Sequence, residues 1–193
     1  MPHDPKRASW LRLDNVTKPA PKIAAMWEES QKRLGYVREF LKMPFEPDRL
    51  ALFQGYVNRL MRSDDCKLLG RERELIALVV SLENRCEACI ITHAGALEAH
   101  GMDKRNSDIL LANWRRAELS TRERALAEFA SNLTLHCDMA SEDDLDELRE
   151  AGLKDDEIAE TVQIVAIFNA TNRLNAGLGI KVDDGAHEAL RRK

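Results

Sequence analysis

The sequence predicts an all-α fold, a bundle of helices, and three observations carry this prediction. No segment of the 193 residues shows the alternation of apolar and polar side chains that marks a strand. Long segments of helix-forming residues instead place apolar side chains three and four positions apart. Proline, serine and aspartate stand at the starts of several segments, and glycine follows several ends, as is usual for helices.

The first third of the chain predicts three helices. Residues 22–34 form a helix that Gly35 ends, and residues 36–42 form a second helix that stops before Pro44. Residues 47–62 begin with proline at the first helical position and carry an apolar stripe, which predicts a longer amphipathic helix.

The middle of the chain predicts two antiparallel helices joined by a tight turn. Residues 71–83 are rich in helix formers and apolar side chains, and residues 85–100 read as a second helix. We expect Asn84 to cap the second helix, with Glu87 at its third position completing a capping box. Such a pair of helices is an αα-hairpin.

The remaining segments predict further helices, and the sequence as a whole divides into three parts. Residues 1–20 are rich in proline and are expected to form an extended arm, in which Trp10 and Leu11 could dock on a neighbouring subunit. Residues 21–182 are expected to form one helical domain, followed by a tail at residues 183–193. The later helices are predicted at residues 103–112, 120–135, 141–151 and 155–178.

The hairpin brings four chemically active side chains toward one another. Glu74 and His93 lie nine to ten residues on either side of the turn, so they reach the same height at a rise of ~1.5 Å per residue. Cys89 lies one turn before His93 on the same helix face, and Cys86 lies three residues before Cys89. The spacing therefore predicts a dithiol next to a histidine and a carboxylate.

This set of residues suits thiol redox chemistry. An isolated thiol titrates at about 8.5, so it needs help to become a thiolate at neutral pH. His93 can accept the proton of Cys89, while Glu74 orients the imidazole and stabilises its charged form. Cys86, expected in the first helical turn beside Arg85, can instead be activated by the helix dipole. We expect Cys89 to attack and Cys86 to resolve, although the dipole favours the reverse order.

Two other interpretations of the same residues stay open at this point. Cys86 and Cys89 could be small buried apolar residues with no chemical role. Cys86, Cys89 and His93 could also bind zinc, with His100 two turns further along. Structural zinc sites usually draw their ligands from separate loops or hairpins, so we expect no metal here. Cys66 and Cys137 lack a base at helical spacing and are expected to be structural.

The spacing of the four residues resembles a known catalytic signature. Eleven residues separate Glu74 from Cys86, two separate Cys86 from Cys89, and three separate Cys89 from His93. This pattern is similar to the motif of the alkylhydroperoxidase D-like family, within the carboxymuconolactone decarboxylase superfamily. Later segments resemble its peroxidase-related branch, and the resemblance spans roughly residues 45–182. These segments are residues 119–134, 148–174 and 175–180.

The resemblance implies a function and a mode of assembly. It implies an all-helical bundle of the alkylhydroperoxidase D-like type, whose catalytic residues are Cys89, Cys86, His93 and Glu74. It implies reduction of hydroperoxides without a cofactor, an external dithiol as electron donor, and a homo-oligomer. The best-studied members carry a histidine where this chain has Ala88. A lactone decarboxylase-like enzyme of the same superfamily is the alternative, and it would not need a paired dithiol.

Composition excludes several other classes of function. The 29 basic and 33 acidic residues are intermixed, the net charge is −4 and only 5% of residues are aromatic, so no nucleic-acid partner is expected. No apolar segment approaches the ~20 residues of a membrane span, and the N-terminal residues show no signal peptide. We therefore expect a cytoplasmic protein that has no membrane partner and keeps its thiols reduced.

Overall fold

The protein is helical throughout the part that the structure describes. The computed structural model describes residues 8–12 and 18–191, with side chains to Glu188. Within these ranges it contains nine α-helices, three short 3₁₀ helices and no strand, which confirms the predicted all-α class. The helices are α1 Pro21–Leu34, α2 Pro47–Arg62, α3 Gly70–Glu83, α4 Glu87–Ala99, α5 Lys104–Asn113, α6 Thr121–Leu135, α7 Glu142–Glu150, α8 Asp155–Leu178 and α9 Asp184–Arg191.

Helix α3 forms the centre of the bundle. Its residues 75–80 are wholly inaccessible to solvent, and it packs against α4, α6 and α8. A helix that is apolar on every side must be covered on every side, which explains its central place. None of the helices in the described ranges is both long enough and apolar enough to span a membrane.

Polar side chains fix the ends of several helices. The Glu46 carboxylate accepts hydrogen bonds from two backbone N–H groups at the start of α2. Ser120 and Glu123 form a capping box at the start of α6. Arg122 of α6 donates to Glu72 of α3 and Glu157 of α8, both at 2.6 Å, so one guanidinium joins three helices.

The turn of the hairpin differs from the prediction. Asn84 ends α3 instead of capping α4, and Cys86 is the N-cap residue of α4. Glu87 is therefore the first residue of α4, so the predicted capping box is wrong. The cause is Arg85, which adopts a left-handed conformation at φ 54° and lengthens the turn. Cys86 thus lies at the edge of the first turn, where its N–H donates to the Ser81 carbonyl.

Two further segments differ from the helices expected. Residues 36–42 contain only a 3₁₀ helix, Glu39–Lys42, in place of an α-helix. Helix α9 was not predicted, and it packs against α4. The Asp183 carboxylate before α9 accepts the Glu39 N–H at 2.6 Å, and Gly185 fits against the ring of Tyr36. The two segments therefore hold each other in place beside the hairpin.

Residues 8–12 pack against the C-terminal end of α8 of their own chain. The backbone N–H of Trp10 donates to the Leu178 carbonyl at 2.8 Å, and the backbone N–H of Lys181 donates to the Ala8 carbonyl at 3.1 Å. The Trp10 ring covers Gly179, which has φ 58° and no space for a Cβ atom. The remainder of the predicted arm, residues 1–7 and 13–17, lies outside the described residues.

Candidate active site

The hairpin brings Glu74 and His93 together, as their spacing predicts. Glu74 of α3 and Nδ1 of His93 on α4 are joined by a hydrogen bond of 2.7 Å. Because a carboxylate only accepts, Nδ1 carries the hydrogen and Nε2 is left as the proton acceptor. The imidazole is buried, and its ring meets Phe168 edge to face at 4.5 Å, which fixes the plane of the ring.

The two cysteines are also in direct contact. The sulfur atoms of Cys86 and Cys89 lie 2.6 Å apart, and both thiols are free and buried. The Asn175 amide of α8 donates to Cys89 Sγ at 3.5 Å. Nothing in the sequence pattern singled out Asn175, because its contact depends on how α8 packs across the hairpin.

The contact between the sulfurs makes the two thiols unequal. A hydrogen bond from Cys89 lowers the pKa of Cys86, with a smaller contribution from the Cys89 backbone N–H. The same hydrogen bond raises the pKa of Cys89, and burial and the charge on Cys86 raise it further. The pair therefore loses its first proton from Cys86, and the remaining proton bridges the two sulfurs.

Cys89, Glu74 and His93 line one cavity of about 670 Å³. Cys86 is not among the residues that line this cavity. The cavity is bounded by α1, α2, α3, α4, α8 and α9, together with residues that follow α1. Cys89 is thus the sulfur that a small molecule in the cavity can reach.

The other reactive residues lie away from this constellation. Cys66 Sγ donates to two backbone carbonyls at 3.3 Å, and Cys137 is exposed in a 3₁₀ helix. His100 follows the end of α4, lines part of the same cavity and is exposed to solvent. Among the side chains that the structure describes, no three or more His, Cys, Asp or Glu residues are grouped so that they could hold a metal ion.

The chain matches a family profile over most of its helical part. The profile of the carboxymuconolactone decarboxylase family matches residues 47–113 and 106–181, which include α2 to α8. A search of curated proteins finds no match.

Two solved structures resemble this chain over nine tenths or more of its length. An uncharacterized peroxidase-related protein from Silicibacter sp. is 29% identical, with a TM-score of 0.90 over 98% of this chain and 99% of that one. A second, from Ralstonia eutropha, described as an alkylhydroperoxidase core, is 27% identical, with a TM-score of 0.80 over 90% and 95% of the two chains.

A third solved structure shares the fold at lower identity. The debrominase Bmp8, crystallised as a variant with 2,3,4-tribromopyrrole, is 17% identical, with a TM-score of 0.76 over 95% of this chain and 98% of that one. At this identity the likeness extends to the fold alone.

Proposed function

The chain belongs to the carboxymuconolactone decarboxylase family, as an alkylhydroperoxidase D-like member, and we propose that it is a thiol-dependent peroxidase. The observation that carries the proposal is the contact of 2.6 Å between the two sulfurs, one of which lines the cavity that also holds the Glu74–His93 pair. Two thiols in contact can supply the two electrons that break an O–O bond.

The first step removes one proton from the dithiol. His93 accepts it, and the Glu74 carboxylate stabilises the resulting imidazolium through the hydrogen bond to Nδ1. The charge left on the dithiol rests mainly on Cys86, because Cys89 donates a hydrogen bond to it. Passing the bridging proton to Cys86 moves the charge to Cys89, the sulfur that faces the cavity.

The second step reduces the hydroperoxide. The Cys89 thiolate attacks the outer oxygen, an S–O bond forms and the O–O bond breaks. The departing alkoxide takes the proton from His93 and leaves as the alcohol. Cys89 is left as a sulfenic acid, with Cys86 as a thiol beside it.

The third step closes the cycle. Cys86 attacks the sulfenic sulfur of Cys89, water leaves, and a disulfide forms between the two residues. An external dithiol then reduces this disulfide by exchange and becomes a disulfide itself. We place the protein in the cytoplasm, where the reducing conditions would supply such a donor. A lactone decarboxylase-like activity would leave the contact between the sulfurs without a use.

Oxidation is expected at one pair of cysteines. A slight excess of hydroperoxide, with no reductant, should join Cys86 and Cys89 in an intramolecular disulfide, because their sulfurs already lie 2.6 Å apart. Peptide mapping by mass spectrometry should show the loss of two hydrogen atoms on the peptide that carries both residues. Loss confined to Cys66 or Cys137 would refute the assignment.

Turnover gives the direct test of the proposed activity. Consumption of cumene hydroperoxide is followed with several dithiols as electron donors, in the wild-type protein and in a Cys137→Ser control. Cys137 is exposed and lies outside the cavity, so both proteins should have equal rates with at least one dithiol. No consumption above the rate of the dithiol alone would overturn the proposed function.

We also propose that the protein is a homo-oligomer. Leu52 and Tyr56 of α2 and Val162 of α8 are exposed apolar or aromatic side chains, and Tyr56 donates to Gln163 of α8 at 3.0 Å, so these side chains share one surface. Light scattering at micromolar concentration should give a mass that is a multiple of 21.9 kDa. A monomer at that concentration would contradict the proposal, and Leu52→Lys should shift an oligomer toward the monomer.

A further inference from the structure

Arginines from four parts of the chain meet at the cavity that contains Cys89. One comes from α1, one from the segment after α1, one from α2 and one from α3. The acidic side chains on the cavity wall are Glu74, already bound to His93, and Glu98. The wall therefore carries an excess of positive charge. The four arginines are Arg33, Arg38, Arg62 and Arg73.

Most of this positive charge lacks a carboxylate partner. Within the described ranges, Arg33 forms no hydrogen bond or ion pair, and the guanidinium of Arg62 donates only to the amide oxygen of Asn58. The guanidinium of Arg73 donates to a backbone carbonyl. Arg38 approaches Asp183 at 3.9 Å, but its Nε atom is buried without a hydrogen-bond partner.

The arginines also repel one another. Partial desolvation at the cavity lowers the pKa of Arg62 to about 10 although the side chain remains accessible to solvent, and repulsion from Arg33 and Arg38 contributes to this change. Partial burial lowers the pKa of Arg33 as well, followed by repulsion from Arg38. Attraction from the nearby Glu29 and Glu74 carboxylates opposes part of the change in pKa at both Arg33 and Arg62. With a pKa of about 10, Arg62 remains cationic at neutral pH. Gathering like charges costs free energy that an anionic ligand would recover.

The rest of the cavity wall is largely apolar. Its volume of about 670 Å³ falls within the range of sites for organic ligands and far exceeds the size of hydrogen peroxide. The wall thus combines a cationic region with a surface for a hydrocarbon body. The larger apolar side chains are Leu34, Phe40, Val57, Met61, Ile91 and Phe168.

We propose that the hydroperoxide reduced at this site carries a carboxylate on an apolar body, as the hydroperoxide of an unsaturated fatty acid does. Arg33 and Arg62 bind the carboxylate, the apolar side chains cover the hydrocarbon, and the peroxide group lies at Cys89. The chemistry is that of the proposed peroxidase, on which this inference rests. The carboxylate takes no part in the electron transfer.

The test compares two substrates that differ in charge alone. The hydroperoxide of linoleic acid and its methyl ester are reduced below their critical micelle concentrations, with dithiothreitol as a neutral electron donor. The wild-type protein should give a kcat/KM at least about tenfold higher for the acid, because a charge-assisted hydrogen bond from arginine is lost in the ester. Raising the ionic strength should reduce this ratio, since both arginines are accessible to solvent.

Arginine variants test which side chains cause the preference for the acid over the ester. Arg62→Gln and Arg33→Gln should each lower the ratio of acid to ester, and together they should lower it by about tenfold. Arg59→Gln is the matched control, because Arg59 lies one turn before Arg62 on α2 and pairs with Asp65 outside the cavity. Its ratio should equal that of the wild type.

Other outcomes would overturn the proposal. Equal rates for acid and ester would do so, as would a preference that survives both arginine substitutions. A further outcome is that the protein shows no preference between the two substrates but reacts faster with dihydrolipoate than with dithiothreitol. That result would mean that the arginines bind an anionic electron donor instead of the substrate, and it would overturn the proposal. If no hydroperoxide reacts, the proposed function fails, and calorimetry decides the binding claim separately. Linoleate should then bind the reduced protein more tightly than methyl linoleate, and equal binding would refute it.

Discussion

Replacing Cys89 with serine should lower kcat/KM for hydroperoxides by at least about 10³-fold, the scale on which enzymes lose rate when a nucleophile is removed. The serine hydroxyl keeps the size of the thiol but is a much weaker nucleophile toward a peroxide oxygen at neutral pH. The measurement is hydroperoxide consumption in the presence of the dithiol that supports the highest wild-type rate.

Cys86→Ser separates the attacking sulfur from the resolving one. This variant should still consume about one equivalent of hydroperoxide in a single turnover, and dimedone should trap a sulfenic acid on Cys89. Steady turnover should be lost, because no second thiol adjoins the sulfenic acid. Cys137→Ser serves as the control for the loss of an exposed thiol. Full activity in Cys89→Ser would contradict the assignment of Cys89.

Removing either member of the Glu74–His93 pair should slow the reaction by about 10²-fold, the lower part of the range for general-base catalysis. Glu74→Gln keeps the shape of the side chain but removes the charge that stabilises the imidazolium. His93→Ala removes the proton acceptor and should cost at least as much. Both substitutions leave the two sulfurs in place, so any loss of rate reports on proton transfer.

The pH dependence of alkylation at Cys89 isolates this effect. In a Cys86→Ser background, Glu74→Gln and His93→Ala should move the rise in the iodoacetamide rate to higher pH, because the thiolate forms less readily. Glu128→Gln, which removes an exposed carboxylate on α6, is the matched control and should leave the curve unchanged. Curves that coincide for all variants would contradict the relay and make Cys86 the better candidate for the attacking thiol.

Much of the fold could be predicted from local pattern alone. The apolar spacing in α2, α3, α6 and α8 predicted these helices within a residue at either end, because burial of a stripe requires that spacing. The contact between Glu74 and His93 could also be predicted, since their equal distance from the turn survives a small shift of the turn.

The remainder depends on tertiary contacts that a linear pattern does not contain. The left-handed conformation of Arg85 moved the start of α4, and no residue type in the turn signals it. Helix α9 is short and depends on contacts between Gly185 and Tyr36 and between Asp183 and Glu39. The cavity arginines come from separate segments, and composition records only that positive charges are present.

The single-turnover yield of alcohol shows whether Cys86 and Cys89 supply the electrons that reduce the hydroperoxide. Reduced protein is mixed with excess cumene hydroperoxide in the absence of any other thiol, and the cumyl alcohol formed per chain is measured. A dithiol centred on Cys86 and Cys89 should give one equivalent of alcohol in the wild-type protein and in Cys137→Ser, and none in Cys89→Ser. A wild-type yield near zero, or an unchanged yield in Cys89→Ser, would contradict the account.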